Sequence, residues 1–235
     1  MNLFTNKYIA HRGLHNGELI PENSLLAFKK AIEKNYAIEF DITITKDNQV
    51  VVFHDEDLVR LCNKKEKVEE VEYGFLKKLK LYNSDENIPL FKEVLELVDK
   101  KIALIIEIKK HQNIGVLENI VLDLLENYEG EYSICSFEKD ILFWLKENRT
   151  NIKRGLIYEY NSKVFKKYHK VLFLYKYYKI KPDFVSLDYR LLNSSIYKFC
   201  KKNSLPIFCW TINSKEKYEN IEKKVDGIIF ENIIL

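Results

Sequence analysis

From residue 102 to the end, short apolar runs alternate with stretches of helical period, and this regularity restricts the possible folds more than any other feature. Extended runs are predicted at 102–108, 132–137, 154–158, 183–187, 206–212 and 227–230. Helical stretches separate them at 116–127, 139–148, 194–203 and 214–224, with a long aromatic and basic one between 158 and 183. Upstream, 7–11 reads as a strand, followed by a helix that starts at Asn23 or Ser24 and ends at Asn35. A strand over 37–45 turns through 46–49 and returns as extended chain over 50–54. Residues 57–87 are charged and only loosely periodic, with a helix expected at 75–81, and 91–98 reads as the helix before the next strand. About eight strands separated by helices predict an α/β fold, a TIM-type parallel (β/α)8 barrel. The sequence stops at Leu235, so the final helix is expected to be short or absent. The flank it would cover then falls to the 57–87 region or to a second subunit.

A chain of 235 residues, 46% hydrophobic and 31% charged, suits a single domain over 1–235 with a substantial core. The net charge of +3 is too small and dispersed to indicate nucleic acid. Cys62, Cys135, Cys200 and Cys209 show neither zinc spacing nor a disulfide framework, which suits free thiols in a reducing compartment. With no apolar leader and no run long enough to span a bilayer, the expected location is cytoplasmic.

The chemistry concentrates in residues 8–55. Strand residues alternate between faces, so Glu39 and Asp41 project side by side while Phe40 turns away. Two acids on the inner side of an apolar strand are costly unless positive charge lies between them. A metal ion is the simplest answer. The barrel reading sets His11, Arg12, Glu39, Asp41, Glu107, Lys109 and Trp210 at C-terminal strand ends, where such barrels carry their active sites. Salt bridges from Arg12 and Lys109 to the acids are the structural alternative.

Taken in order, His11-Arg12-Gly13, Pro21-Glu22-Asn23-Ser24, Glu39-Phe40-Asp41 and His54-Asp55 resemble the signature of the glycerophosphodiester phosphodiesterase family. The match extends through 88–95, Glu107-Ile108-Lys109, Ser136-Phe137, 210–213 and 226–229, nearly the whole chain. The resemblance implies metal-dependent hydrolysis of glycerophosphodiesters, such as glycerophosphocholine, to sn-glycerol 3-phosphate and an alcohol. It implies Glu39, Asp41 and Glu107 as metal ligands, an all-oxygen set that suits Mg²⁺ or Ca²⁺ better than zinc. His11 and His54 correspond to the acid/base pair, with His11 preferred as base and His54 as acid. Arg12 and Lys109 suit the phosphate oxygens, and Trp210 suits the glycerol carbons, unless it is a core residue. Ser136, Asp188 and Tyr189 read as structural, and His15, His111 and His169 as surface or loop residues. The chain departs from the pattern at Phe230-Glu231-Asn232, where relatives carry Thr-Asp, so Glu231 is a candidate partner for a site residue.

Within 164–181, Val164, Phe165, Tyr168, Val171, Leu172, Tyr175 and Tyr178 approximate one helical face surrounded by lysines. Packing against the barrel is the commoner explanation for such a face, and contact with an anionic membrane surface is the other. The oligomeric state stays open. Two further functions compete: a related phosphodiesterase acting on lysophospholipids or a glycerol phosphate polymer, and a catalytically silent barrel that binds phosphodiesters.

Overall fold

The computed structural model describes residues 7–162 and 166–235. In chain order the first half comprises β1 (Tyr8–His11), α1 (Leu25–Glu33), β2 (Ala37–Ile44), β3 (Val50–Val52), α2 (Val59–Cys62), α3 (Tyr73–Leu76), α4 (Phe91–Val98) and β4 (Leu104–Ile108). The second half comprises α5 (Val116–Leu125), β5 (Tyr132–Ser136), α6 (Lys139–Asn148), β6 (Arg154–Tyr158) and α7 (Lys166–Ile180). It ends with β7 (Phe184–Asp188), α8 (Ser195–Lys202), β8 (Ile207–Ile212), α9 (Lys215–Ile221) and β9 (Gly227–Phe230).

Eight of these strands pair in parallel, and β1 bonds both β2 and β9, which closes the sheet into a barrel. Only β3 runs antiparallel, as the hairpin partner of β2. The predicted (β/α)8 barrel is therefore the fold.

Strand alternation sorts the side chains into two cores. Outward residues such as Phe40 meet the helices: its ring lies 5.5 Å from Phe28 of α1 and 6.0 Å from Phe91 of α4. Inward residues form a smaller core of Ile9, Ala37, Ala103, Ile105, Phe184 and Phe208. Gly155 and Gly227 leave room for the rings of Phe184 and Phe208, since a Cβ at either glycine would lie 2.2 or 2.4 Å from a ring atom. Two residues further along the same strands, the inward column turns polar: Ile9 leads to His11, Ala37 to Glu39 and Asp41, Ile105 to Glu107, and Ile229 to Glu231. The apolar floor and the polar mouth are one alternation read upward, which places the chemistry at the C-terminal ends of the strands.

Three expectations change. Residues 75–81 do not form the predicted helix; the helical turn is α3, and residues 57–88 instead build a separate core of Leu58, Leu61, Val68, Leu76, Leu81 and Ile88 with Val51 and Phe53. That region therefore does not cover the β1–β9 flank. Tyr8, Tyr36 and Tyr218 do so together with Ile233 and Leu235, and the Tyr36 hydroxyl donates to the Leu235 carbonyl. Residues 231–235 contain no helix, as expected.

The third change concerns α7. Tyr168, Val171, Leu172, Tyr175 and Tyr178 face outward, while His169, Phe173, Tyr177 and Ile180 pack inward. Both faces of this helix are rich in aromatic residues, so periodicity could not identify the buried one. Phe173 is anchored edge-on to Tyr158 (5.2 Å) and Phe199 (6.0 Å), and those partners decide the rotation. Lys163, Val164 and Phe165 lie outside the described residues.

Candidate active site

The turn after β1 assembles the first part of the site. Arg12 and Gly13 both adopt positive φ, +54° and +81°. A Cβ on Gly13 would approach Ala27 Cβ and Phe28 Cδ1 to 2.9 Å, so glycine is required for both its dihedral and the space. This turn aims the Arg12 backbone N–H at Glu39 Oε2 (3.3 Å), and Arg12 Nη1 donates to Glu22 Oε1 (2.7 Å). Arg12 Nε lies 3.3 Å from Asp41 Oδ2.

The segment before α1 supplies the second part. Ser24 is the N-cap, accepting from Ala27 N at 3.1 Å. Asn23, freed from capping, adopts φ +57° and its Nδ2 donates to Asp41 Oδ2 at 2.9 Å. Asp41 is 1% exposed, and the Asn23 side chain braces it.

β2 and β4 pair Asp41 with Glu107, and carboxylate oxygens of Glu39, Asp41 and Glu107 lie within 4.8 Å of one another. Lys109 Nζ reaches Glu107 Oε1 (2.7 Å) and Asp41 Oδ1 (3.4 Å). Burial, then the charges of Asp41 and Glu107, push Glu39 well above the usual carboxylate range. Burial and Asp41 likewise raise Glu107. Burial also opposes ionisation of Asp41, but Lys109 and Arg12 overcome it and hold its pKa low.

The arrangement is over-supplied with acid. Glu22, Glu39, Asp41, Asp55 and Glu107 face three fixed cations, Arg12, Arg60 and Lys109. Arg60 is committed to Glu22 and Asp55, and Arg12 is shared between Glu22 and Asp41. The salt-bridge alternative is thus partly realised but leaves Glu39 under-compensated, and an all-carboxylate donor set fits a hard divalent cation.

Two imidazoles flank this cluster, each tethered through Nδ1. His11 Nδ1 lies 2.7 Å from Glu231 Oε2, and His54 Nδ1 lies 2.6 Å from Asp55 Oδ1. An ionised carboxylate only accepts, so Nδ1 carries hydrogen in both rings and Nε2 is left for proton exchange. His11 Nε2 points toward Glu39 Oε2 at 3.9 Å. Burial lowers the His11 pKa, against the raising effect of Glu231, so the ring is neutral at neutral pH. The hydrogen bond from His11, with the His15 imidazole close by, holds Glu231 far below its ordinary value. His54 and Lys109 also line a cavity of about 500 Å³ with Asp55, Glu69 and His111.

Trp210 is partly exposed at the top of β8, edge-on to Phe137 with ring centroids 5.7 Å apart. Ser136 donates to the Ile108 carbonyl and Asp188 accepts from Tyr160 N. His15 and His111 lie in loops, as expected, but are largely shielded from solvent, and His169 lies buried in α7, neither surface nor loop. His15 Nε2 lies 3.8 Å from Glu231 Oε2, His111 is buried 3.3 Å from Glu118, and His169 is buried in a stack on Tyr160. Sequence reasoning assigned no role in the site to Glu22, Asn23, Asp55 or Arg60. For the first three the available signal was their place inside Pro-Glu-Asn-Ser and His-Asp. Arg60 has no such mark.

A profile of the glycerophosphoryl diester phosphodiesterase family matches residues 11–235. A glycerophosphodiester phosphodiesterase of Caldanaerobacter subterraneus is 33% identical over 95% of this chain and 93% of its own. Among solved structures, a glycerophosphodiester phosphodiesterase from Thermotoga maritima is 29% identical with a TM-score of 0.75, covering 95% of this chain and 93% of that one. An Oleispira antarctica phosphodiesterase in complex with the product sn-glycerol-3-phosphate shares the fold at 19% identity, with a TM-score of 0.84 over 97% and 93% of the two chains. With its ordered motifs folded into one barrel mouth and matched along nearly their whole length, the chain belongs to the glycerophosphodiester phosphodiesterase family.

Proposed function

We propose that the protein hydrolyses glycerophosphodiesters to sn-glycerol 3-phosphate and an alcohol, using His11 and His54 as a proton-transfer pair beside a divalent cation, Mg²⁺ or Ca²⁺. The observation that carries this reading is the pair of imidazoles tethered by carboxylates through Nδ1 at the same barrel mouth as Glu39, Asp41 and Glu107. Those three carboxylates would hold the cation, which when bound neutralises phosphate charge and acidifies a neighbouring hydroxyl.

The chain's own groups do the rest. Arg12 and Lys109 bind non-bridging phosphate oxygens, exchanging part of their present carboxylate contacts for the substrate. Trp210, over Phe137, offers an apolar wall to the glycerol carbons. His11, neutral because of burial, takes the proton of the attacking glycerol hydroxyl at Nε2 as the new P–O bond forms. The P–O bond to the alcohol breaks, and His54, entering this step as an imidazolium with hydrogen on both nitrogens, delivers its Nε2 proton to the departing oxygen, with the cavity beside His54 as room for that alcohol. Water then opens the cyclic phosphodiester, with the two rings exchanging roles.

The test is a coupled assay for sn-glycerol 3-phosphate released from glycerophosphocholine and glycerophosphoethanolamine. Release by the wild-type chain, and its loss in a folded His54→Ala variant, is the expected result. Equal release by that variant would remove His54 from the chemistry.

A further inference from the structure

The outer face of α7 carries Val171, Leu172, Tyr175 and Tyr178, exposed to 61, 44, 56 and 63%. Their spacing places them along one side of the helix. Single apolar residues on a surface are ordinary, but a continuous stripe along one helix marks a contact surface.

Along α7 itself the charge is of one sign, although the neighbouring α6 brings Asp140 against it. Between Glu159 and Asp183 the chain has seven lysines and no acidic residue. Lys170 and Lys181 are exposed. Lys176 donates to the Phe137 carbonyl, and Lys179 lies 3.4 Å from Asp140 of α6, so those two are partly engaged. Beside α7 packs α8, with Phe199 5.0 Å from Tyr177, and it adds exposed Lys198, Lys201 and Lys202 and no acid. The whole chain has 38 basic and 35 acidic residues, so this excess is local.

We propose that this face docks the protein peripherally onto an anionic lipid bilayer. Val171 and Leu172 enter the boundary between headgroups and acyl chains, Tyr175 and Tyr178 sit at headgroup level, and the lysines meet lipid phosphates. Charge selects this occupant over a second copy of the chain, because two copies face to face would oppose lysine to lysine. No helix among the described residues is long and apolar enough to cross a membrane, so the contact lies on the surface. Because α7 follows the C-terminal end of β6, its first turn lies toward the rim on which the site opens, and the stripe, further along the helix, sets the flank of the barrel on the lipid.

The experiment is cosedimentation of the full chain with phosphatidylglycerol or phosphatidylcholine vesicles, at low and high salt. The wild-type chain is expected to sediment with phosphatidylglycerol at low salt, to be released at high salt, and to ignore phosphatidylcholine. The double variant Val171→Glu, Leu172→Glu and, separately, Lys170→Glu are expected to lose binding, the double variant by about tenfold or more. Both variants change exposed side chains, so their melting temperature and turnover of a soluble diester should match wild type. Absence of phosphatidylglycerol binding at low salt, equal binding by the double variant, or a dimer broken by that variant in place of vesicle binding would each overturn the proposal.

Discussion

His11 Nδ1 and Glu231 Oε2 are 2.7 Å apart, joining the first and last strands of the barrel at the site. The contact fixes the tautomer of His11 and turns Nε2 toward the carboxylate cluster. In the proposed mechanism this contact makes Glu231 the residue that positions the ring.

Replacing Glu231 with glutamine should lower turnover less than removing the imidazole does, because the ring remains but loses its charged anchor. The pH profile distinguishes this from a structural effect. Glu231 raises the His11 pKa, so its neutralisation should move the acid limb of kcat/KM to lower pH. In the wild-type chain that limb is expected below the ordinary imidazole value of about 6.5, since burial favours the neutral base. An acid limb that moves upward in the variant would contradict the assignment.

Removing either imidazole should cost far more. His11→Ala and His54→Ala are each expected to reduce turnover by roughly a hundredfold to ten-thousandfold with the fold intact. Steady-state kinetics beside thermal melting separates lost proton transfer from lost structure.

Cation binding should depend on pH in a defined direction. Glu39 and Glu107 have folded pKa values raised above the unfolded 4.5, so each retains a proton in the folded state over the window just above 4.5. Over that window the metal-free fold loses stability as pH rises, because the folded state binds more protons than the unfolded one. A divalent cation replaces those protons, so the rise in Tm on adding Mg²⁺ or Ca²⁺ should grow with pH. Differential scanning fluorimetry from pH 5 to pH 8 reads this directly, and a cation effect that shrinks with pH would count against the site.

Gly13→Ala should destabilise the fold and disturb the site together. Its φ of +81° and the 2.9 Å approach to Ala27 and Phe28 leave no place for a methyl group. The loss should be about 1–3 kcal/mol by comparison with other strained backbone positions. Denaturant unfolding measures the first effect, and a change in KM through the displaced Arg12 measures the second.

The barrel was legible because strand and helix periods differ and recur, and because Glu39, Asp41 and Glu107 interrupt apolar strands where alternation demands hydrophobic residues. What stayed hidden depended on contacts between distant segments. Nothing local in the sequence joins Glu231 to His11 across 220 positions, or sends Arg60 from the 57–88 region to Glu22. The α7 face was misassigned for a related reason: tyrosine serves equally well in a core and on a surface, and only Tyr158 and Phe199 settle which side turns in. The three remaining histidines looked solitary because their partners are supplied by folding.

Glu39, Asp41 and Glu107 are proposed to act through a shared cation. The decisive measurement is thorough chelation, followed by assay of sn-glycerol 3-phosphate release before and after Mg²⁺ or Ca²⁺ is restored. Loss of release on chelation with recovery on adding back the ion, and no recovery in Glu39→Gln, is the predicted result. Undiminished release from the stripped protein would contradict it.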